Sequence, residues 1–205
     1  MSLVSTDWLY NNINKVKIFD SSWHLPNENR NAFEEYKKGH IKGSIFFDID
    51  KYSDKKSDLP HMLPSKEEWE LFMSSLGVSN DDIIVIYDDS HLISSCRCWY
   101  TFLYFGHNQN LVFILDGGLK KWKEENRETV KSITNISKSK YFATENKKLV
   151  KNKIEIDQNI LEKKFKVLDA RSKKRFEGKV AEPRKGLRSG SIPGSYCLPF
   201  RQLIN

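Results

Sequence analysis

The chain has 205 residues and a mass of 24.0 kDa, room for one large domain or two of about 100 residues each. Hydrophobic residues make up 39% and aromatics 12%, enough for a packed core and too much for a disordered chain. Lys and Arg outnumber Asp and Glu by 34 to 27, and the resulting formal charge of +7 favours anionic partners without saying whether they are polymers or small molecules.

In chain order, Val16 to Asp20 (VKIFD) reads as a short buried strand and Ser44 to Asp50 (SIFFDID) as a second. Ser65 opens a capping box with Glu68, after which Trp69, Phe72, Met73 and Leu76 recur on one helical face and Gly77 marks a stop. Ile83 to Asp89 (IIVIYDD) is the strongest strand signal. Cys96 to Phe105 is an apolar helix ending at Gly106, Leu111 to Gly118 (LVFILDGG) is a fourth strand, and Leu119 to Glu125 is a further short helix. Apolar strands alternating with helices predict an α/β layer architecture with a parallel sheet.

From about residue 127 to 159 the composition turns to Lys, Asn, Ser and Thr, which reads as an interdomain linker or, alternatively, a long surface excursion of one domain. Beyond it the earlier pattern restarts. KVKIFDSSW (Lys15 to Trp23) resembles KFKVLDARS (Lys164 to Ser172), and GHIKGSIFFDI (Gly39 to Ile49) resembles GSIPGSYCLPF (Gly190 to Phe200). Asp20 and Asp169 lie 149 residues apart, and Gly43 and Gly194 lie 151 apart. The pattern predicts tandem copies of one α/β domain: residues 1–126, the 127–159 linker, and residues 160–205. The second copy has no counterpart of the IIVIY strand, so it is expected to be only the first part of a domain.

These segments resemble the two-domain rhodanese-like sulfurtransferases, in particular the 3-mercaptopyruvate sulfurtransferase branch. The resemblance rests on FDSSWHLP (Phe19 to Pro26), GHIKGSIFFDID (Gly39 to Asp50), HMLP (His61 to Pro64), GVSNDDIIVIYDDSH (Gly77 to His91), FGH, ILDGGLKKW (Ile114 to Trp122), LDARSKKRFEG (Leu168 to Gly178), AEPRKG and GSIPGS, in the family's order. It implies tandem rhodanese-like domains, each a parallel sheet flanked by helices. It also implies transfer of sulfane sulfur from 3-mercaptopyruvate or thiosulfate to a thiol, thioredoxin-like or cyanide acceptor. The carrier is a cysteine persulfide formed in a loop of inward-pointing backbone N–H groups. In the first copy the position matching that cysteine is Asp88, which cannot form a persulfide. In the second copy the matching loop is expected beyond residue 205.

The resemblance also implies site residues. Arg175 and Arg184 match arginines that line the donor pocket, where two guanidiniums suit a substrate carrying a carboxylate beside a ketone. Both could instead sit on a solvated loop among Lys173, Lys174 and Lys185. Asp50 and His61 match a pair that relays protons. Alternatively, Asp50 is a strand-end cap and His61 packs against Met62 and Leu63. His40 and Ser191 occupy matching turns, for which a structural role is expected.

Cys96, Cys98 and Cys197 are too few for a disulfide scaffold; the Cys96–Cys98 pair is a weak zinc signal, and all three are expected in the core. No metal or organic cofactor is implied. No apolar run is long enough to span a membrane and the opening residues lack an apolar signal core, so a cytoplasmic protein without a membrane partner is expected. The scattered lysines do not form a nucleic-acid-binding motif. The competing reading is a non-catalytic rhodanese-like binding module.

Overall fold

The structure, a computed structural model, describes residues 2–183 and 186–204. The chain divides into two compact units, Met1–Leu149 and Val150–Asn205.

The first unit contains a five-stranded parallel sheet. In chain order its elements are β1 (Leu3–Val4), α1 (Thr6–Asn12), β2 (Lys17–Asp20), α2 (Ala32–Lys38), β3 (Ser44–Phe46), α3 (Lys66–Ser75), β4 (Ile84–Tyr87), α4 (Ser95–Tyr104), β5 (Val112–Leu115) and α5 (Gly118–Glu124). The strand order is β1-β5-β4-β2-β3. The apolar runs are strands because both faces of this sheet are covered. Ile18, Val85 and Tyr87 share one face and pack with Leu9 of α1 and with Leu119 and Trp122 of α5. Phe19 points to the other face, against Phe47 and Phe102 of α4, and Trp69 of α3 stacks on Phe105. The Ser65–Glu68 capping box at the start of α3 forms as expected.

The segment expected as a linker differs in the structure. Residues 130–146 are strapped onto the first unit. Val130 exchanges backbone hydrogen bonds with His40, Thr134 donates to Ser44 O, Tyr141 stacks on His107, and Thr144 N donates to Phe105 O. Polar composition concealed this because the strap is held by its backbone and a few side chains, with Tyr141 and Ala143 its buried members. His40 is itself structural: it is fully buried, with Nδ1 on Tyr36 O and Nε2 on Ser132 O. Residues 153–162 are not linker but a helix.

The second unit contains α6 (Lys153–Glu162), β6 (Leu168–Asp169), α7 (Lys173–Phe176) and β7 (Tyr196–Cys197). β6 and β7 pair in parallel, Leu168 opposite Tyr196 and Asp169 opposite Cys197. Helix α6 starts at Asn152, whose side chain forms a capping box with Glu155.

The cysteines divide. Cys98 is buried as expected, but Cys96 is exposed and Cys197 is partly buried. Residues two apart on a helix point to nearly opposite sides, so the face of α4 that buries Cys98 and Phe102 turns Cys96 outward. Among the described residues no group of His, Cys, Asp and Glu could hold a metal, and no helix is long and apolar enough to cross a membrane.

Candidate functional site

Two sheet strands lead into the first unit's site, each bringing an acid at or just past its end. Asp20, at the end of β2, is almost fully buried and accepts from Ser22 N (3.0 Å) and Ser22 Oγ (2.6 Å). Burial pushes its carboxyl up to about 6, against the pull of the Ser22 hydrogen bonds and with a push from nearby Asp88. Asp88 follows β4. Its Oδ1 accepts from Ser90 N (3.1 Å) and its Oδ2 from Ser95 N at the start of α4 (2.6 Å). The Asp88 carboxyl thus occupies the backbone N–H groups of Ser90 and Ser95, and residues 88–94 contain no cysteine.

The chain leaving β2 carries Trp23 and His24. His24 is buried with Nε2 3.1 Å from Glu35 Oε2, and Arg30 grips Glu35 through Nε (3.0 Å) and Nη2 (2.7 Å). That network anchors the loop. Trp23 N donates to Ser90 Oγ (2.9 Å), and the Trp23 indole N–H donates to Asp50 Oδ2 (3.0 Å).

The structure brings Asp50 and His61 together: His61 Nε2 lies 2.9 Å from Asp50 Oδ1. Asp50 is exposed, while the His61 side chain is 19% exposed and edge-on to Trp23 at 4.8 Å between centroids. His61 adopts φ +57°, a left-handed conformation that a non-glycine residue takes only when its surroundings hold it there. Arg97 of α4 supplies that hold, donating from Nη2 to His61 O at 2.5 Å. Trp23, Ser90 and Arg97 escaped the sequence reading as site residues. Trp23 lies within a quoted motif, but Arg97 sits in a helix whose pattern announces only its apolar face.

In the second unit Arg175 meets a carboxylate. Its Nε and Nη2 fork onto Glu182, whose side chain is only 3% exposed. Arg171 Nη1 also donates to Glu182 (2.8 Å), and its other edge grips Asp169. Arg175 foremost, and Arg171 with it, hold the Glu182 carboxyl below the usual range. Arg175 Nη1 makes no hydrogen bond to any described residue, and Glu182 fixes the guanidinium by its Nε–Nη2 edge. Glu182, two residues before Arg184 in AEPRKG, went unread in the sequence. Arg184 lies outside the described residues.

Comparison with known proteins agrees with this architecture. The rhodanese-like domain model matches residues 5–125. The chain belongs to the rhodanese-like domain family. It is 37% identical over 226 residues to thiosulfate/3-mercaptopyruvate sulfurtransferase 1, mitochondrial, of Arabidopsis thaliana, covering 99% of this chain and 59% of that protein. It is 36% identical over 204 residues to the 3-mercaptopyruvate sulfurtransferase of Escherichia coli strain K12, covering 98% of this chain and 72% of that protein. The crystal structure of SseA from Escherichia coli superposes with a TM-score of 0.90 at 33% identity, covering 100% of this chain and 77% of that one. The chain thus spans about three fifths of the length of the Arabidopsis relatives it matches, 59% and 64%.

Proposed function

We propose that the protein is a sulfurtransferase that moves sulfane sulfur from 3-mercaptopyruvate, or thiosulfate, to a thiophilic acceptor through a cysteine persulfide. The observation that carries this reading is the 36% identity to 3-mercaptopyruvate sulfurtransferase along 98% of the chain. None of the three cysteines present suits the nucleophile: Cys98 is buried in α4, Cys197 lies in β7, and partial desolvation by its neighbours, with a push from Asp88, raises the Cys96 thiol instead of lowering it. In this reading the thiol is the one the family resemblance implies, in a loop of the second domain that residues 1–205 do not include. The tandem-domain division is part of the same reading, with residues 130–146 as a strap on the first domain and α6 at the head of the second.

The donor is a small anion. Arg175, aligned by Glu182, and Arg184 would hold its carboxylate and ketone oxygens through charge-assisted hydrogen bonds. Asp50 and His61 would move the proton that accompanies sulfur transfer, His61 as the exchanging base and Asp50 as its orienting partner. Acceptors are thiols, thioredoxin-like proteins or cyanide, with no cofactor, nucleic acid or membrane required. Three free cysteines suit a reducing compartment, the cytoplasm included.

The test is cyanolysable sulfur. The whole gene product, incubated with 3-mercaptopyruvate, is expected to carry about one labile sulfur per chain; residues 1–205 alone are expected to carry none. Replacing Arg184 by Ala should lower kcat/KM for mercaptopyruvate by roughly 100-fold, the loss of one charge-assisted pair, and lower thiosulfate turnover far less. Equal losses for both donors would refute the donor assignment. The inert Asp88 loop favours a second reading, a non-catalytic binding module, which gains if the whole gene product takes up no sulfur from either donor.

A further inference from the structure

The loop at residues 88–94 stands where the family resemblance places a nucleophile, yet it holds the Asp88 carboxyl in place of a thiol. Its contacts lead elsewhere. Asp88 fixes the backbone N–H groups of Ser90 and Ser95. Ser90 Oγ then clamps the backbone of residue 23, donating to Trp23 O at 2.7 Å and accepting from Trp23 N at 2.9 Å, with Ser94 Oγ 2.8 Å away. The Trp23 indole so held donates to Asp50 Oδ2 and sets its ring edge-on to His61. Asp50 is left with Oδ1 for His61 Nε2, and Arg97, in the first turn after the loop, holds the carbonyl of His61.

We propose that this loop, empty of chemistry, has become the positioning device for His61. Through Ser90 and Trp23 it aims Asp50, and through Arg97 it fixes the backbone of residue 61, so that His61 keeps a proton on Nε2 and exchanges protons through Nδ1. The inference rests on the relay reading of Asp50 and His61 given above. A carboxylate oxygen accepts and cannot donate, so the nitrogen facing Asp50 carries the hydrogen. A neutral imidazole has one N–H, which puts the lone pair on Nδ1. Nδ1 makes no hydrogen bond to any described residue, and the ring is partly exposed. During transfer Nδ1 takes a proton, the imidazolium is held by Asp50 through the unchanged Nε2–H, and the proton leaves again from Nδ1. Ser90, Trp23 and Arg97 are positioning residues, since each acts through Asp50 or the backbone of His61.

The experiment is nitrogen-15 NMR of the imidazoles in the 205-residue chain at about pH 8, above the ordinary histidine range. The His61 resonances are identified by their disappearance in His61→Gln. The expected wild-type result is a directly observed, slowly exchanging Nε2–H and an unprotonated Nδ1. Trp23→Phe keeps the ring and removes the indole N–H; the Nε2–H signal is then expected to be lost to solvent exchange. Ser90→Ala gives the same readout without touching the indole and serves if Trp23→Phe does not fold. A wild-type ring proton on Nδ1, or none observable on His61, overturns the proposal, as does a foldable variant whose Nε2–H persists undiminished. These spectra are independent of activity: failure of sulfur uptake would remove the functional reading and leave them unchanged, while failure of the spectra would remove the positioning role alone.

Discussion

The two units contain the same strand-turn motif in different surroundings. In the first, Ser22 N donates to Asp20 Oδ1 at 3.0 Å; in the second, Arg171 N donates to Asp169 Oδ1 at 2.9 Å. Phe47 N donates to Asp20 O, and Leu198 N to Asp169 O. The turns before β3 and β7 are closed by Ser44 N on Ile41 O and by Ser195 N on Ile192 O, with Gly43 at φ +79° and Gly194 at φ +76°. The short sequences FDSSW and LDARS, GHIKGS and GSIPGS are thus enough to build the same local hydrogen bonds twice. Burial is another matter. Phe19 and Ile45 are 0% and 7% exposed, while Leu168 and Tyr196, their equivalents, are 59% and 57% exposed. In the first unit β2 is flanked by both β3 and β4; among the described residues β6 pairs with β7 alone. Local geometry follows the motif, and the environment of each acid follows the rest of the sheet.

The sharpest way to break that contrast is to neutralise Asp20. Its carboxyl is raised to about 6 from an ordinary value of 3.8, so the folded state binds the proton more tightly than the unfolded chain. The stability from this group is fully present below pH 3.8 and is lost as pH rises through about 6. The loss amounts to about 3 kcal/mol by pH 7. Asp20→Asn keeps an oxygen for Ser22 and removes the buried charge, so it should stabilise the first unit near neutrality and do little near pH 4. Hydrogen exchange of the β2 and β4 amides across that range reads the first unit by itself. A wild-type stability that does not fall between pH 4 and 7 would refute the burial argument.

The strap is a second difference, found on the first unit only. Gly77, at φ +69°, lies so close beneath it that an added Cβ would meet Ser137 O at 2.5 Å. Gly43 has a similar φ with nothing within 4 Å, and so does Gly194 in the second unit. Gly77→Ala should therefore cost about 2 kcal/mol or more, combining backbone strain with displacement of the strap. Gly43→Ala should cost about 1 kcal/mol, from strain alone. Denaturant midpoints of the two variants would separate the terms; equal costs would mean that the strap is not held where Gly77 meets it.

Sequence patterning reached the strands around Ile18, Ile45, Ile86 and Ile114 because continuous aliphatic runs are what a doubly covered sheet demands. It did not reach β1, whose two residues are too few for any periodicity, nor α2 and α6, although Asn31 and Asn152 cap them and Glu155 completes a capping box. In α6 the Lys- and Asn-rich composition masked a local signal that was present. The candidate site was legible only where a resemblance supplied it. Asp50 and His61 sit 11 residues apart across an irregular loop, and no spacing rule brings them together. Glu182 was beyond reach because its partner Arg175 looks in sequence like one of a run of cations; only burial shows which cation has an acid to face.

Asp169 gives the smallest effect and reverses the sign. The Arg171 guanidinium, first of all, holds its carboxyl below the ordinary range, the opposite of Asp20. A depressed folded-state value means that the stabilisation is present above the ordinary carboxylate range and is lost as pH falls through the folded value. Asp169→Asn should therefore destabilise the second unit at neutral pH, by about 1 kcal/mol since the Arg171 guanidinium retains Glu182 and solvent. The deficit should shrink towards zero as the wild-type carboxyl is protonated. Added salt should shrink it as well, because the Arg171 side chain is partly exposed, whereas the Asp20 effect is buried and should resist salt. Exchange rates at the β6 and β7 amides provide the measurement. If Asp169→Asn and Asp20→Asn shift stability in the same direction at pH 7, then the matching turn, and not its surroundings, governs both acids.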